Sequence, residues 1–128
     1  MELVQDLFMV TGSRYWNDEF LLFNKLLEHC ESYDTMMNGA CPTGADHISY
    51  LMWKTLWGFP VELFPADWGK YGRKAAFLRN SAMVERKPKF CLAFLLNGYE
   101  NKGTNMTINL AEKAGIPVIK TWGDKIIN

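Results

Sequence analysis

The sequence predicts an α/β fold, a Rossmann-like, doubly wound, open parallel sheet of about five strands with helices on both faces. Short apolar runs alternate with longer stretches of helical periodicity, and the breaks between them carry Gly, Pro, Asn or Asp. Strands separated by single helices are nearly always parallel, with right-handed crossovers. The length of 128 residues suits one domain, residues 1–128.

The elements follow from these patterns in chain order. Strands are predicted over residues 7–10, 35–38, 61–64, 90–96 and 117–121. Helices are predicted over residues 18–30, 46–57, 73–85 and 104–114. Asn17 is expected to cap the first helix, Gly58 to end the second, and Gly115 to follow the last.

Apolar spacing predicts the side of each helix that faces the sheet. In the first helix the expected inward residues are Phe20, Phe23, Leu27 and Cys30. In the second they are Ile48, Leu51, Met52 and Thr55. The apolar positions of the third leave little room for long polar side chains inside: Ala75, Ala76, Leu78, Ala82 and Met83.

Composition excludes several classes of protein. The 14 basic residues balance 14 acidic ones, so no overall field attracts nucleic acid or an anionic membrane. No apolar run approaches the roughly 18 residues of a membrane helix, and the run at 90–96 is interpreted as a buried strand. The first six residues include acids and no basic region, so no secretory signal is expected and a cytoplasmic location is predicted.

Cysteine and histidine usage predicts no metal site. Cys30, Cys41 and Cys91 are odd in number and lack the spacing of a zinc site or a disulfide framework. His29 and His47 do not complete a ligand set. No cofactor is assigned.

The fold predicts where a ligand binds. In a parallel sheet every strand-to-helix loop emerges at the carboxyl edge, where ligands of such folds lie. The loops expected to meet there are residues 11–14, 40–46, 65–68 and 97–104.

The first two of these loops carry glycines beside polar residues. Gly12, Ser13 and Arg14 offer close backbone approach, a hydroxyl and a planar charge suited to phosphate. The turn at 41–46, with Thr43, Gly44, Ala45 and Asp46, precedes a helix whose amide groups favour an anion. The alternatives are an ordinary turn with a solvated arginine, and a helix cap made by Thr43 or Asp46.

The other two loops add further candidates. Asp67 and Trp68 follow the third strand, Arg79 and Asn80 lie within the next helix, and Lys102, Gly103 and Thr104 begin the last one. A solvated helix arginine is common, which is the alternative for Arg79. Trp16 and Trp68 lie beside the expected pocket, where they either stack a base or fill the core.

A family resemblance accompanies these residues. The ordered motifs GSRYWND, GACPTGAD, FPADWGKYGRKAAFLRN, KGTNM and AGIPVI resemble the YspA-like (cpYpsA-related) branch of the SLOG superfamily, over nearly the whole chain. The resemblance implies a Rossmann-like relative of the cytokinin-activating LOG proteins and of DprA that binds nucleotides or nucleotide-derived small molecules. The positions matching its presumed ligand motifs are Gly12, Ser13, Arg14, Gly44, Ala45, Asp46, Asp67, Arg79, Asn80, Gly103 and Thr104.

The chain departs from the LOG pattern at the residue expected to help cleave the base–ribose bond. The place of that glutamate is taken by Thr107, and the glycine-rich lead-in is replaced by residues 98–102. A glycosidic cleavage would then need another carboxylate, and the candidates are Asp46, Asp67 and, less readily, Glu100.

Three functions remain open from the sequence. The first is a module that binds a nucleotide-derived small molecule for sensing or sequestration; the second is a nucleotide N-glycosidic-bond hydrolase or transferase. The third is a single-stranded nucleic-acid binder using Arg86, Lys87 and Lys89, although these residues also suit the negative end of a helix. A homo-oligomer is expected, because the second helix carries Tyr50, Trp53 and Trp57 beyond one inward stripe.

Overall fold

The computed structural model describes residues 6–127, and the residues on which the secretory-signal prediction rests lie almost entirely outside that range. Five parallel strands form one open sheet in the order β3-β2-β1-β4-β5. This confirms the predicted Rossmann-like α/β fold. The strands are β1 Leu7–Gly12, β2 Thr35–Asn38, β3 Val61–Leu63, β4 Cys91–Leu96 and β5 Val118–Gly123.

Helices connect consecutive strands. They are α1 Glu19–His29, α2 Gly44–Tyr50, α3 Trp68–Tyr71, α4 Ala75–Glu85 and α5 Lys102–Lys113. Helix α2 continues as a π-helix over Leu51–Leu56, and a 3₁₀ turn at Gly72–Lys74 joins α3 to α4. Within the described part of the chain no helix is both long and apolar enough to cross a membrane.

Strand β1 lies at the centre of the sheet. It pairs with β2 through Met9 and Met37 on one side and with β4 through Met9 and Cys91 on the other. The chain adds β2 and then β3 on one side of β1, and it then crosses back to add β4 and β5 on the other side. The point of reversal, between β1 and β4, is where open α/β sheets form a ligand crevice at the carboxyl edge.

The core has one layer on each face of the sheet. On one face, Leu22 and Leu26 of α1 and the π-helical residue Trp53 pack in a cluster with Phe8 and Phe94. On the other face, Met83 of α4 and Ala111 of α5 pack in a cluster with Met9, Met37 and Cys91.

The predicted cap of the first helix is wrong, and its predicted inward stripe is right only in part, since Phe23 and Cys30 are partly buried. Asp18, not Asn17, caps α1 by accepting the Leu21 N–H at 3.0 Å, while the Asn17 side chain bonds the backbone of Ile126. Leu22 and Leu26 are buried, whereas Phe20 and Leu27 are exposed. Both faces of this helix are apolar, and the aliphatic pair is the one that packs on the sheet.

The stripe predicted for the second helix also differs. Trp53 is buried against Phe8, whereas Leu51 is exposed. The change from α-helix to π-helix at Leu51 adds residues to the turn, and this shifts the inward face away from a regular spacing. Since Trp53 fills the core of this chain, it no longer argues for a partner surface. Oligomerisation remains a prediction.

The third predicted helix begins later than expected. Residues 73–74 belong to a 3₁₀ turn, and α4 starts at Ala75. Its buried residues include Asn80 and Val84, whereas Leu78 is partly exposed. Gly72 has φ 56° and ψ −130°, a backbone conformation available mainly to glycine, so the chain turns sharply before α4.

Candidate functional site

A cavity of about 480 Å³ opens at the carboxyl edge of the sheet, beside the end of β1 and between α4 and α5. Its walls come from the ends of β1, the loops after β1, β2 and β4, and the facing sides of α4 and α5. The predicted edge therefore carries a cavity of the size usual for small-molecule sites.

Most of the sequence-predicted residues line this cavity. Those on its walls are Gly12, Ser13, Arg14, Asp46, Arg79, Asn80, Lys102, Gly103 and Thr104. Four do not reach it: Thr43, Gly44, Ala45 and Asp67.

The turn before α2 holds two loops together. The Ala45 N–H donates to the carbonyl of Ser13 at 3.1 Å, so this amide is already satisfied. Gly44 has φ +74° and lies against the backbone of Ser13 and Arg14, where a Cβ would overlap them. Thr43 occupies the cap position without a side-chain hydrogen bond. These residues position the β1–α1 loop.

Gly12 and Ser13 have packing roles of their own. A Cβ at Gly12 would lie 2.6 Å from the Cβ of Ala45, so a glycine lets α2 approach β1. The Ser13 hydroxyl accepts the Tyr15 N–H at 3.1 Å. Arg14 is exposed, and its side chain makes no hydrogen bond within residues 6–127.

Asp46 is the buried carboxyl group of the cavity. Its Oδ2 accepts the Cys41 N–H at 3.3 Å. Burial raises the pKa of Asp46 to about 6, and the N–H groups of Cys41 and Gly39 and the charge of Arg79 oppose this rise. The carboxyl group therefore exchanges a proton close to neutral pH.

Asn38 supports the same loop from the end of β2. Its Nδ2 donates to the carbonyl of Asp46 at 2.8 Å and its Oδ1 accepts the Ala40 N–H at 2.9 Å. The side chain is completely buried. Asn38 thus fixes the path of the chain around Asp46.

Arg79 joins two loops through its guanidinium group. Nη1 donates to the carbonyl of Gly39 at 2.6 Å and to that of Phe64 at 3.4 Å, while Nε donates to Asn80 Oδ1 at 2.6 Å. Gly39 lies directly against the guanidinium. Arg79 is thus not a solvated helix arginine: it ties the ends of β2 and β3 to α4 and also reaches the cavity.

Asn80 presents a hydrogen-bond donor to the cavity. The residue is 4% exposed, and because its Oδ1 accepts from Arg79, its Nδ2 is the group left for the cavity. This Nδ2 makes no hydrogen bond within residues 6–127. An acceptor atom from a ligand would complete it.

The start of α5 presents further donors. Asn101 has φ 55° and ψ 36°, and its side chain is occupied by the backbone of Leu96 and Tyr99. Within residues 6–127, the backbone N–H groups in the first turn of α5, those of Lys102, Gly103 and Thr104, have no acceptor. The Thr104 hydroxyl group also makes no hydrogen bond there. A left-handed residue followed by helical residues turns successive N–H groups towards one anion.

The position that the resemblance equates with the LOG glutamate holds Thr107, whose hydroxyl group already has a hydrogen-bond partner. Thr107 Oγ1 donates to the carbonyl of Gly103 at 3.2 Å, one turn earlier in α5. This part of the cavity wall therefore lacks a carboxylate, and the acidic residues lining the cavity are Asp46 and Glu100.

Three aromatic side chains edge the cavity. The rings of Tyr15 and Tyr99 lie 5.4 Å apart and join the loops after β1 and β4, and Trp68 borders the cavity from the β3 side. Trp68 is largely exposed, which makes its ring available to a ligand. Trp16, by contrast, is buried against Phe94, so for Trp16 the packing alternative is the correct one.

Two other predicted groups lie away from the cavity. Asp67 caps α3, its Oδ1 accepting the Lys70 N–H at 3.0 Å. Among the basic residues proposed for nucleic acid, Arg86 pairs with Glu62, and Lys89 Nζ lies 2.7 Å from Asp34 Oδ1. These pairs reduce the charge available for a phosphate backbone.

Sequence reasoning missed several lining residues. Tyr15, Tyr99, Asn101 and Cys41 belong to the cavity or its frame, yet none was chosen as a ligand residue. Asn101 offered the clearest indication, since asparagine tolerates a left-handed conformation and directly precedes Lys102 and Gly103. Among residues 6–127 no three His, Cys, Asp or Glu side chains are arranged to hold a metal.

Comparison with known proteins finds a relative that is a phage protein. No family model matches it, and no solved structure matches it. It is 38% identical over 126 residues to the Gene 61 protein of Mycobacterium phage D29, covering 91% of this chain and 96% of that protein. The chain belongs to the Gene 61 protein family. The Gene 61 relationship therefore covers most of the α/β domain.

Proposed function

We propose that this Gene 61 family member is a SLOG-type protein that binds a nucleotide or a nucleotide-derived small molecule, for sensing or sequestration. One observation carries the proposal: Asn80 Nδ2, the Thr104 hydroxyl and the first amides of α5 face one cavity without partners in residues 6–127. These donors open onto the cavity and are left unpaired by the described part of the protein, so they are available to a ligand rich in acceptors. A phosphate group supplies three such oxygens.

The charges around the donors favour an anion. Arg14 and Lys102 reach the cavity from two sides, and among residues 6–127 the one ion-pair partner of Lys102 Nζ is the exposed Glu100, at 3.2 Å. The α5 helix dipole adds positive potential at its first turn. Phosphate therefore fits best between Thr104 and Arg14.

The aromatic rim favours a flat ring in the same ligand. Tyr15, Tyr99 and Trp68 leave much of their rings exposed beside the cavity. A nucleobase offers a matching surface, because stacking on an aromatic side chain is worth roughly 1–3 kcal/mol per base. A phosphate and a base within one small molecule describe a nucleotide.

Calorimetric titration with 5′-mononucleotides, each beside its nucleoside, tests this function. At least one mononucleotide is expected to bind, and its nucleoside to bind about tenfold more weakly, since it lacks the charged acceptors. Thr104→Val removes one hydroxyl and should weaken mononucleotide binding by roughly 5- to 30-fold.

Thr121→Val is the matched control, because Thr121 is a buried threonine that does not line the cavity. Its affinity should equal that of the parent. The proposal fails if the folded protein binds no mononucleotide at millimolar concentration, or if Thr104→Val and Thr121→Val behave alike.

An enzyme that cleaves the N-glycosidic bond is the second candidate, and Asp46 is the observation that favours it. This carboxyl group lines the cavity, and its pKa is raised to about 6. Such a group is able to donate or accept a proton near neutral pH. Asp67 is less suited, since it caps α3 outside the cavity wall.

Chromatography of a bound nucleotide after long incubation separates the two candidates. Release of free base that is abolished by Asp46→Asn would establish the enzyme. Recovery of the intact nucleotide from a stoichiometric complex would leave binding alone as the function.

A further inference from the structure

The exposed segment between β3 and α4 carries an unusual concentration of charge and aromatic surface. This basic segment, residues 68–74, comprises Trp68, Lys70, Tyr71, Arg73 and Lys74 together with two glycines. Every one of its residues is exposed, so none of these side chains is held by the core. The segment joins the cavity through Trp68, which lines it.

The cations of the basic segment have no carboxylate partners. Within the described chain, Lys70, Arg73 and Lys74 form no ion pair, and no acidic residue occurs between Trp68 and Val84. The nearest carboxylate along the chain, Asp67, is engaged as the cap of α3. Lys70 Nζ lies instead 5.1 Å from the centre of the Tyr71 ring.

Two of these cations, Arg73 and Lys74, lie where positive charge is electrostatically unfavourable, and no acidic residue nearby in the chain offsets them. Lys74 is the cap residue of α4 and Arg73 precedes it, so both lie at the positive end of the helix dipole. The first turn of α4 has no acidic residue to offset them. A local conflict of this kind, uncompensated within the chain, is typical of a functional surface.

We propose that the basic segment is a second anion-binding surface, which holds the part of the ligand that extends from the cavity. The ligand would then consist of two nucleotide units joined through phosphate. One unit occupies the cavity, the linking phosphate meets Arg73 and Lys74, and the second base lies against Trp68 or Tyr71. This inference rests on the proposed function of the cavity.

The surface suits a small molecule better than a nucleic-acid strand. A strand needs a basic groove that follows several nucleotides, but the protein is neutral overall. Arg86 and Lys89 are already paired with Glu62 and Asp34. Three cations on seven residues match one or two phosphates.

Titration with matched ligands tests the inference. The probes are the 5′-mononucleotide that binds best, the dinucleotides that extend it through a phosphodiester or a pyrophosphate, and a strand of about ten nucleotides. A dinucleotide is expected to bind at least about tenfold more tightly than the mononucleotide. In Arg73→Gln/Lys74→Gln this gain should fall to less than about threefold, while mononucleotide affinity stays within about twofold of the parent.

Lys54→Gln/Lys113→Gln is the control, since it removes the same charge from exposed residues outside the cavity wall. It should keep the full gain. The inference is overturned if the dinucleotides bind no tighter than the mononucleotide, if both double variants lose the gain equally, or if affinity continues to rise to the longer strand. Binding of no mononucleotide at all would instead remove the function proposed for the cavity.

Discussion

Arg79 and Asn80 are neighbours in α4 whose side chains are joined by a 2.6 Å hydrogen bond from Nε to Oδ1. Since the bond occupies the amide oxygen, it turns Asn80 Nδ2 towards the cavity. Arg79, whose charge was predicted to bind a ligand, thus also orients the uncharged amide group of Asn80 beside it. Of these two adjacent residues, Arg79 ties the loops together and Asn80 faces the cavity.

The oriented amide predicts the effect of changing Asn80 to aspartate. Asn80→Asp replaces the donor in the cavity with a carboxylate while keeping an acceptor for Arg79. Phosphate binding should weaken by about 10- to 100-fold, because a hydrogen bond to a charged group is worth roughly 1.5–3 kcal/mol and repulsion adds to its loss. Calorimetry with the mononucleotide measures this. Asn109→Asp, on the exposed side of α5, is the matched control, and an equal loss there would count against the assignment.

Asp46 predicts a pH-dependent stability. Its pKa is raised from 3.8 to about 6 on folding, so the folded state holds this proton more tightly than the unfolded state. The stabilisation from the protonated form is complete below about pH 4 and is lost as pH rises through 6, a change of about 3 kcal/mol. Urea unfolding of parent and Asp46→Asn from pH 4.5 to 7.5 should show their difference shifting in favour of the variant as pH rises.

The exposed carboxyl of Glu85 provides the control for that series. Glu85→Gln should follow the parent across the same range. If Asp46→Asn also stays parallel to the parent, the buried environment assigned to this carboxyl group is wrong.

The hydrogen bonds of Arg79 predict that replacing this residue lowers the stability of the protein even when no ligand is bound. Arg79→Lys keeps the charge but cannot reach Gly39, Phe64 and Asn80 together, since lysine lacks the planar fork. The free energy of unfolding should fall by about 1–3 kcal/mol. Chemical denaturation measures it, with Arg73→Lys at an exposed position expected to change stability by less than about 0.5 kcal/mol. Equal effects would show that the ties of Arg79 contribute nothing.

The sequence predicted the strands, and the edge of the sheet at which the cavity lies, because both depend on local pattern and topology. Buried parallel strands appear as continuous apolar runs, and residues 35–38 were predicted with the observed bounds. Once parallel strands alternate with helices, the carboxyl edge follows without further information. Arg14, Asn80 and Thr104 accordingly met at one cavity.

Helix faces were predicted poorly where both sides of a helix are apolar. In α1 the spacing of Phe20, Phe23 and Leu27 suits a buried face as well as that of Leu22 and Leu26 does. Which of the two faces packs inward depends on the shape of the sheet beneath the helix, and a short stretch of sequence carries no information about that shape. The π-helical continuation after Tyr50 was not predicted, because the pattern of apolar residues was compared with the regular period of an α-helix.

Contacts between residues far apart in the chain could also not be predicted from the sequence. Arg79 bonds Gly39, 40 residues away, and its helix position alone resembled that of a solvated arginine. The same limit applies to the turn at Gly44, whose resemblance to an anion site concealed its contact with Ser13 and Arg14. A glycine needed for packing and a glycine needed for a ligand look alike in a motif.

Alanine substitutions distinguish those two kinds of glycine. Gly44→Ala meets a left-handed backbone and the chain of Ser13 and Arg14, so it should destabilise the protein by about 2 kcal/mol or more. At Gly103 a Cβ meets nothing within 4 Å, and helix propensity should make Gly103→Ala neutral or stabilising by up to about 1 kcal/mol. Thermal unfolding of the two variants side by side decides this. Similar losses at both sites would contradict the distinct roles.

The cysteines report on the occupancy of the cavity. Burial raises the pKa of both Cys30 and Cys91 to about 12, so at pH 8 these thiols hold their protons and react slowly. Cys41 is partly exposed on the cavity wall and should be alkylated first. Mass spectrometry after timed iodoacetamide treatment is expected to show one fast site, absent in Cys41→Ser and slowed by a saturating mononucleotide. Fast labelling of Cys41 that a bound nucleotide leaves unchanged would place the ligand elsewhere.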